Sequence, residues 1–116
     1  MTIEEKRKHF RIDSMHLLNY LYFDENDEEA TQGMGRTLNV SESGILLETH
    51  TAISINTIVS LTIGFEEDVV DIKGRVIYNK KGPEGLYESG IEFFDVDKNA
   101  QSVLRQYIAL FNAKTE

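Results

Sequence analysis

Thr57 to Phe65 is the stretch that most narrows what this chain can become. Val59, Leu61, Ile63 and Phe65 alternate there with Ile58, Ser60, Thr62 and Gly64. Successive side chains of a strand point to opposite sides, so residues two apart share a face. The stretch therefore predicts a strand with one face buried. The alternation returns after a polar hairpin tip, Glu66-Glu67-Asp68, in Val69 to Asn79. Val70, Ile72, Val76 and Tyr78 fall on one side of that run, and Asp71, Lys73 and Arg75 on the other. Gly74 falls on the apolar side and is read as a bend or bulge.

Four further strands are expected around this pair. Arg11 to Phe23 is the first, and both of its alternating sets are apolar: Leu17, Leu21 and Phe23 on one, Leu18, Tyr20 and Tyr22 on the other. A strand apolar on both faces is expected to be covered on both. Gly33 to Leu38 and Gly44 to Thr49 are the second and third, and Leu86 to Phe94 is the last. His50 to Asn56 reads as a connection, and Lys80 to Gly85, with the only proline, as a loop. Asp97 then offers a side-chain oxygen to the free amides of a helix start. Beyond it Ala100, Val103, Leu104, Tyr107, Ile108 and Phe111 follow three- and four-residue steps, an apolar helical face running to about Asn112. The fold class is mainly β: a six-stranded antiparallel barrel with a C-terminal helix, the helix being the candidate outer cover for the first strand.

Composition narrows the function. A length of 116 residues suits one domain, with 41% hydrophobic and 28% charged residues. With no cysteine, disulfides and thiolate metal sites are excluded. No apolar run approaches the roughly 20 residues of a membrane span. Met1 to Arg11 lacks the apolar core of a secretory signal, so the expected location is the cytoplasm, without membrane insertion. A net charge of −8 argues against general affinity for nucleic acid or anionic lipid.

The charge is unevenly placed. Lys6, Arg7, Lys8 and Arg11 put four cations into six residues, while Asp24-Glu25-Asn26-Asp27-Glu28-Glu29 puts five anions into another six. Screening over roughly 8 Å makes local charge count for more than the total, so a small anion can bind the arginine cluster. The acidic run reads as the solvated tip of a loop between the first two strands. His9, His16 and His50 show no metal-ligand spacing, and no metal site or catalytic arrangement is expected. His16 and His50 read as strand-edge residues, Arg36 and Arg75 as surface charges.

Two motifs stand out. Arg7-Lys8-His9-Phe10-Arg11 places two arginines four apart ahead of the first strand. Asn39-Val40-Ser41-Glu42-Ser43-Gly44 is a polar turn with the apolar run Ile45-Leu46-Leu47 behind it. In this order, separated by a strand and a loop, RxxxR followed by NxSxxG resembles the signature of PilZ domains, the bacterial receptors for cyclic di-GMP. Tyr87 to Phe93 looks like that family's last strand, and the resemblance runs from about Arg7 to Phe111.

That resemblance implies a six-stranded barrel with a C-terminal helix, and cyclic di-GMP as ligand in place of any cofactor. Residues 1–10 are expected to form a flexible arm carrying the start of RxxxR, and 11–116 the barrel domain with its helix at about 97–112. By resemblance Arg7 and Arg11 serve phosphates and guanine, Asn39 and Ser41 bond a guanine edge, and Gly44 lets the turn pass close to the ligand. Lys6, Lys8, His9 and Gly90 are secondary candidates. Arginine suits the task because its fork pairs with phosphate and with guanine O6 and N7, and its plane stacks on bases; lysine does only part of this. The implied function is a non-enzymatic receptor that closes its arm on the nucleotide and signals to an unidentified protein partner in motility, exopolysaccharide or virulence control. The alternative is an adaptor of the same fold that needs no nucleotide. Monomer and homodimer are both open.

Overall fold

The computed structural model describes residues 17–23 and 30–114. Its elements run β1 (Leu17–Phe23), β2 (Ala30–Val40), β3 (Gly44–Thr49), β4 (Ile58–Phe65), β5 (Asp68–Lys81), β6 (Tyr87–Phe94) and α1 (Lys98–Lys114), with a short 3-10 turn at Pro83–Gly85. The strands close into a barrel in the order β1-β2-β3-β6-β5-β4, every neighbouring pair antiparallel. Closure leaves no unpaired sheet edge. Alternating strand direction sets what lies at each end. The start of β1, the β2–β3 turn, the β4–β5 turn and the end of β6 share one end. The connection 50–57 and the loop 82–86 occupy the other.

The alternation read from β4 and β5 is what fills the barrel. Val59, Leu61 and Ile63 are fully buried, and Val70, Ile72 and Val76 of β5 are buried with them, Ile72 paired with Leu61 and Val70 with Ile63. Leu18, Tyr20 and Tyr22 come from β1, Ile45 and Leu47 from β3, Ile91 and Phe93 from β6. The same cluster contains Ala100, Val103, Leu104, Tyr107 and Phe111 of α1, so the helix completes the barrel core. Asp97 caps it as expected: its Oδ1 accepts from the Ala100 N–H at 2.8 Å.

Three expectations need correction. Among the described residues nothing covers the outer face of β1 at its two ends. Leu17 is 39% and Phe23 59% exposed, because α1 packs on β4 and β5 instead. Gly74 is not a bulge. It is buried within the ladder, and a side chain there would run into the Ile91 Cγ2 methyl, so its bareness makes room for Ile91. The irregularity in β5 lies further on, between Val76 and Tyr78, where Ile77 is the extra residue. A bulge switches which residues face inward, so Tyr78 points out of the barrel and not in. The second and fifth strands also exceed their predicted lengths at both ends. Residues 11–16 of the predicted first strand and the acidic run 24–29 lie outside the described residues.

One buried polar contact ties helix to barrel. The Tyr107 and Thr37 hydroxyls lie 2.7 Å apart, both out of solvent. Burial disfavours the phenolate and raises the Tyr107 pKa, while the Thr37 hydrogen bond partly offsets it. The folded pKa therefore lies above the unfolded one. Tyr107's contribution is complete below the ordinary tyrosine value of about 10 and is lost as pH rises through the folded value. Denaturant midpoints measured from pH 8 to 11 should fall at the alkaline end, and Tyr107→Phe should flatten that fall.

Candidate functional site

The polar corner between β2 and β3 begins with a bulge. The β2–β3 register breaks between Thr37 and Asn39, leaving Leu38 as the extra residue. Facing therefore switches: Thr37 points in, Asn39 out and Val40 in. Asn39 Oδ1 accepts from the Val40 N–H at 2.9 Å, and the Asn39 amide NH2 has no partner among the described residues. Ser41 Oγ accepts from the Ser43 N–H at 3.2 Å and lies 3.1 Å from Ser43 Oγ. Such side-chain-to-backbone bonds hold a turn without help from elsewhere. The Ser41 N–H donates to Gly44 O at 2.8 Å, and the Phe93 N–H to Ser43 O at 2.9 Å, which fastens the turn to β6. An exposed amide and two exposed hydroxyls thus share one fixed corner.

Gly44 sits beneath that corner for a reason the sequence reading did not identify. Among the described residues the only glycine with positive φ is Gly85, so Gly44 is not there for a left-handed turn. A Cβ at Gly44 would lie 2.5 Å from the Ile91 carbonyl oxygen of β6. Its bareness permits that close approach. Gly90 is near by, and a Cβ there would come 3.1 Å from Tyr78 Cβ. Together Ser43, Gly44, Ile77, Tyr78, Gly90 and Glu92 line a shallow pocket of about 240 Å³ beside the turn. Tyr78 and Glu92 were missed as lining residues. Alternation alone puts Tyr78 in the core, and only its pairing with Gly90, a bare strand position that leaves space for a ring, points outward.

The arginines among the described residues divide into two groups. Arg36 Nε donates to Glu48 Oε1 at 3.0 Å across the β2–β3 ladder, and the Arg75 guanidinium lies 5.9 Å from the Phe94 ring centroid, so both are engaged on the barrel wall. Arg105 of α1 reaches the corner, its Nε donating to Glu42 Oε1 at 3.3 Å. Lys6, Arg7, Lys8, His9 and Arg11 lie outside the described residues. Register still constrains where their chain enters: Leu17 pairs with Arg36, at the same barrel end as the corner. Arg11 lies six positions before Leu17, a length of chain that spans at most about 20 Å.

A second concavity of about 460 Å³ lies on the opposite side of the barrel, lined by residues including Asn19, Gln32, Met34, Thr62 and Asp71. Among the described residues its lining holds no lysine or arginine, and it presents the Asp71 carboxylate, which accepts from Thr62 Oγ1 at 2.7 Å. That is a poor place for an anion.

The model of the PilZ domain family matches residues 5–110. This chain belongs to the PilZ domain family. Two solved structures have the same fold as this PilZ domain. The PilZ domain of YcgR from Escherichia coli, with c-di-GMP, is 10% identical with a TM-score of 0.60, over 85% of this chain and 84% of that one. The MrkH–c-di-GMP complex from K. pneumonia is 15% identical with a TM-score of 0.61, over 86% of this chain and 49% of that one, so the PilZ domain here spans about half of MrkH. No curated protein sequence matches the chain. Among the described residues of this PilZ domain, no helix is long and apolar enough to cross a membrane, and no group of three or more His, Cys, Asp or Glu could hold a metal ion.

Proposed function

We propose that this PilZ domain is a cytoplasmic cyclic di-GMP receptor and not an enzyme. In this reading residues 1–10 are an arm that closes on the nucleotide against the barrel domain, and the closed surface is what a protein partner reads. Arg7 and Arg11 take phosphate and guanine, with Lys6, Lys8 and His9 beside them. Asn39 and Ser41 bond a guanine edge, and Gly44 and Gly90 keep the floor bare.

The observation that carries the reading is the β2–β3 corner itself. Its Asn39 amide, without a partner among the described residues, and its Ser41 and Ser43 hydroxyls are exposed at the barrel end where β1 begins, and β1 follows the two arginines in the sequence. The c-di-GMP named with the YcgR and MrkH structures supports the same choice of ligand. Arm closure can signal only if the ligand prefers the closed state. Calorimetric titration of the whole chain with cyclic di-GMP tests the proposal and yields its stoichiometry. Saturable heat is the expected result; no heat and no spectral change would leave the nucleotide-independent adaptor as the better account.

A further inference from the structure

The Glu42–Arg105 pair is not explained by the ligand residues named so far. Glu42 is the apex of the turn, between the two serines, and its side chain is 63% exposed. A bare carboxylate there opposes any dianion that uses the serines. Arg105 answers it from α1, 63 residues further along the chain. The backbone of Arg105 is held by its neighbour Leu104, buried in the core, and by Tyr107, whose hydroxyl bonds Thr37. The side chain is free to swing, since 61% of it is exposed. Of its five N–H donors, only the Nε–H is engaged among the described residues, at 3.3 Å.

We propose that Arg105 contacts the ligand at the β2–β3 corner, and that a phosphodiester of cyclic di-GMP takes it from Glu42. This rests on the receptor reading above. The exchange is favourable in kind, because the guanidinium fork matches phosphate with two parallel bonds whereas the present contact to Glu42 uses one. It also gives α1 a direct connection to occupancy: the helix loses a tie to the turn and gains one to the ligand.

The test is a titration series on the full chain with cyclic di-GMP. Arg105→Ala should weaken binding about fivefold to tenfold, and Glu42→Gln should tighten it about threefold, with unfolding midpoints unchanged because the pair is exposed. Arg105→Lys should fall between, keeping charge without the fork. The double variant Glu42→Gln with Arg105→Ala separates contact from mere neutralisation. It should still bind more weakly than Glu42→Gln alone, because the contact is lost even where there is no carboxylate left to neutralise. A double variant equal to Glu42→Gln would mean that Arg105 only neutralises Glu42, and would overturn the proposal, as would an unchanged Arg105→Ala. Silence from the parent chain would overturn the receptor reading and this one with it; the other failures leave the receptor reading standing.

Discussion

Alanine at both Arg7 and Arg11 is expected to reduce cyclic di-GMP affinity by at least about a hundredfold. Each charge-assisted, two-point pairing of a guanidinium with phosphate or guanine is worth roughly 1.5–3 kcal/mol, so losing two removes two or more decades of affinity. The fold should not respond. Among the described residues the buried apolar core runs from Leu18 to Phe111, and in the arm reading proposed above the two arginines are surface charges, whose replacement changes stability by no more than about 0.5 kcal/mol. Thermal midpoints of parent and variant should therefore agree within about 2 °C. Lysine at either position preserves charge but loses the fork and the flat stacking surface, and should weaken binding by an intermediate factor. Calorimetry and a melting curve on the same samples decide the matter. A double alanine variant that binds within a few-fold of the parent would move the ligand contacts elsewhere, whereas one that also melts early would mean the arginines support the barrel.

What could be read ahead of the structure follows from which interactions are local. The β4 alternation, the helical steps from Ala100 to Phe111 and the Asp97 cap are patterns within one element, and all three appear as expected. The six-strand count and the closed barrel follow from regular turns. The two bulges do not, because a register slip is decided by the partner strand. Leu38 and Ile77 look like ordinary strand residues until β3 and β6 are laid beside them. Alternation alone therefore places Tyr78 in the core. The exposed side of β1 was misjudged for a related reason: Leu17 and Phe23 are apolar, but whether anything covers them depends on where α1 lands. In the candidate site the hydrogen-bonding residues Asn39 and Ser41 were visible as a local turn. Glu92 and Arg105 were not, since they reach it from β6 and α1 across long sequence separations.

Gly44→Ala is the substitution expected to damage the barrel most for the least added volume. The new methyl would sit 2.5 Å from the Ile91 carbonyl oxygen, well inside contact distance, and the obstacle is backbone. Neither side can easily give way. Gly44 pairs with Glu92 and Ile45 with Ile91 in the β3–β6 ladder, and the Ser43 carbonyl is held by the Phe93 N–H at 2.9 Å. Relief requires breaking at least one of these bonds at a closed seam, a cost of about 2–4 kcal/mol by comparison with other overpacked, hydrogen-bonded sites. For a domain of this size that lowers the melting midpoint by roughly 10 °C. The corner should suffer with it, because Ser41 and Ser43 are placed by the same bonds, so ligand affinity falls together with stability. Gly64→Ala supplies the contrast: its methyl would meet nothing nearer than 3.5 Å, and Gly64 is not among the glycines with positive φ. That variant should stay within about 0.5 kcal/mol of the parent. Equal losses at the two positions would mean that glycine's entropy in strands governs both, and not the approach of β3 to the Ile91 carbonyl; a large loss at Gly44 alone would establish that approach as the reason no side chain fits beneath the corner.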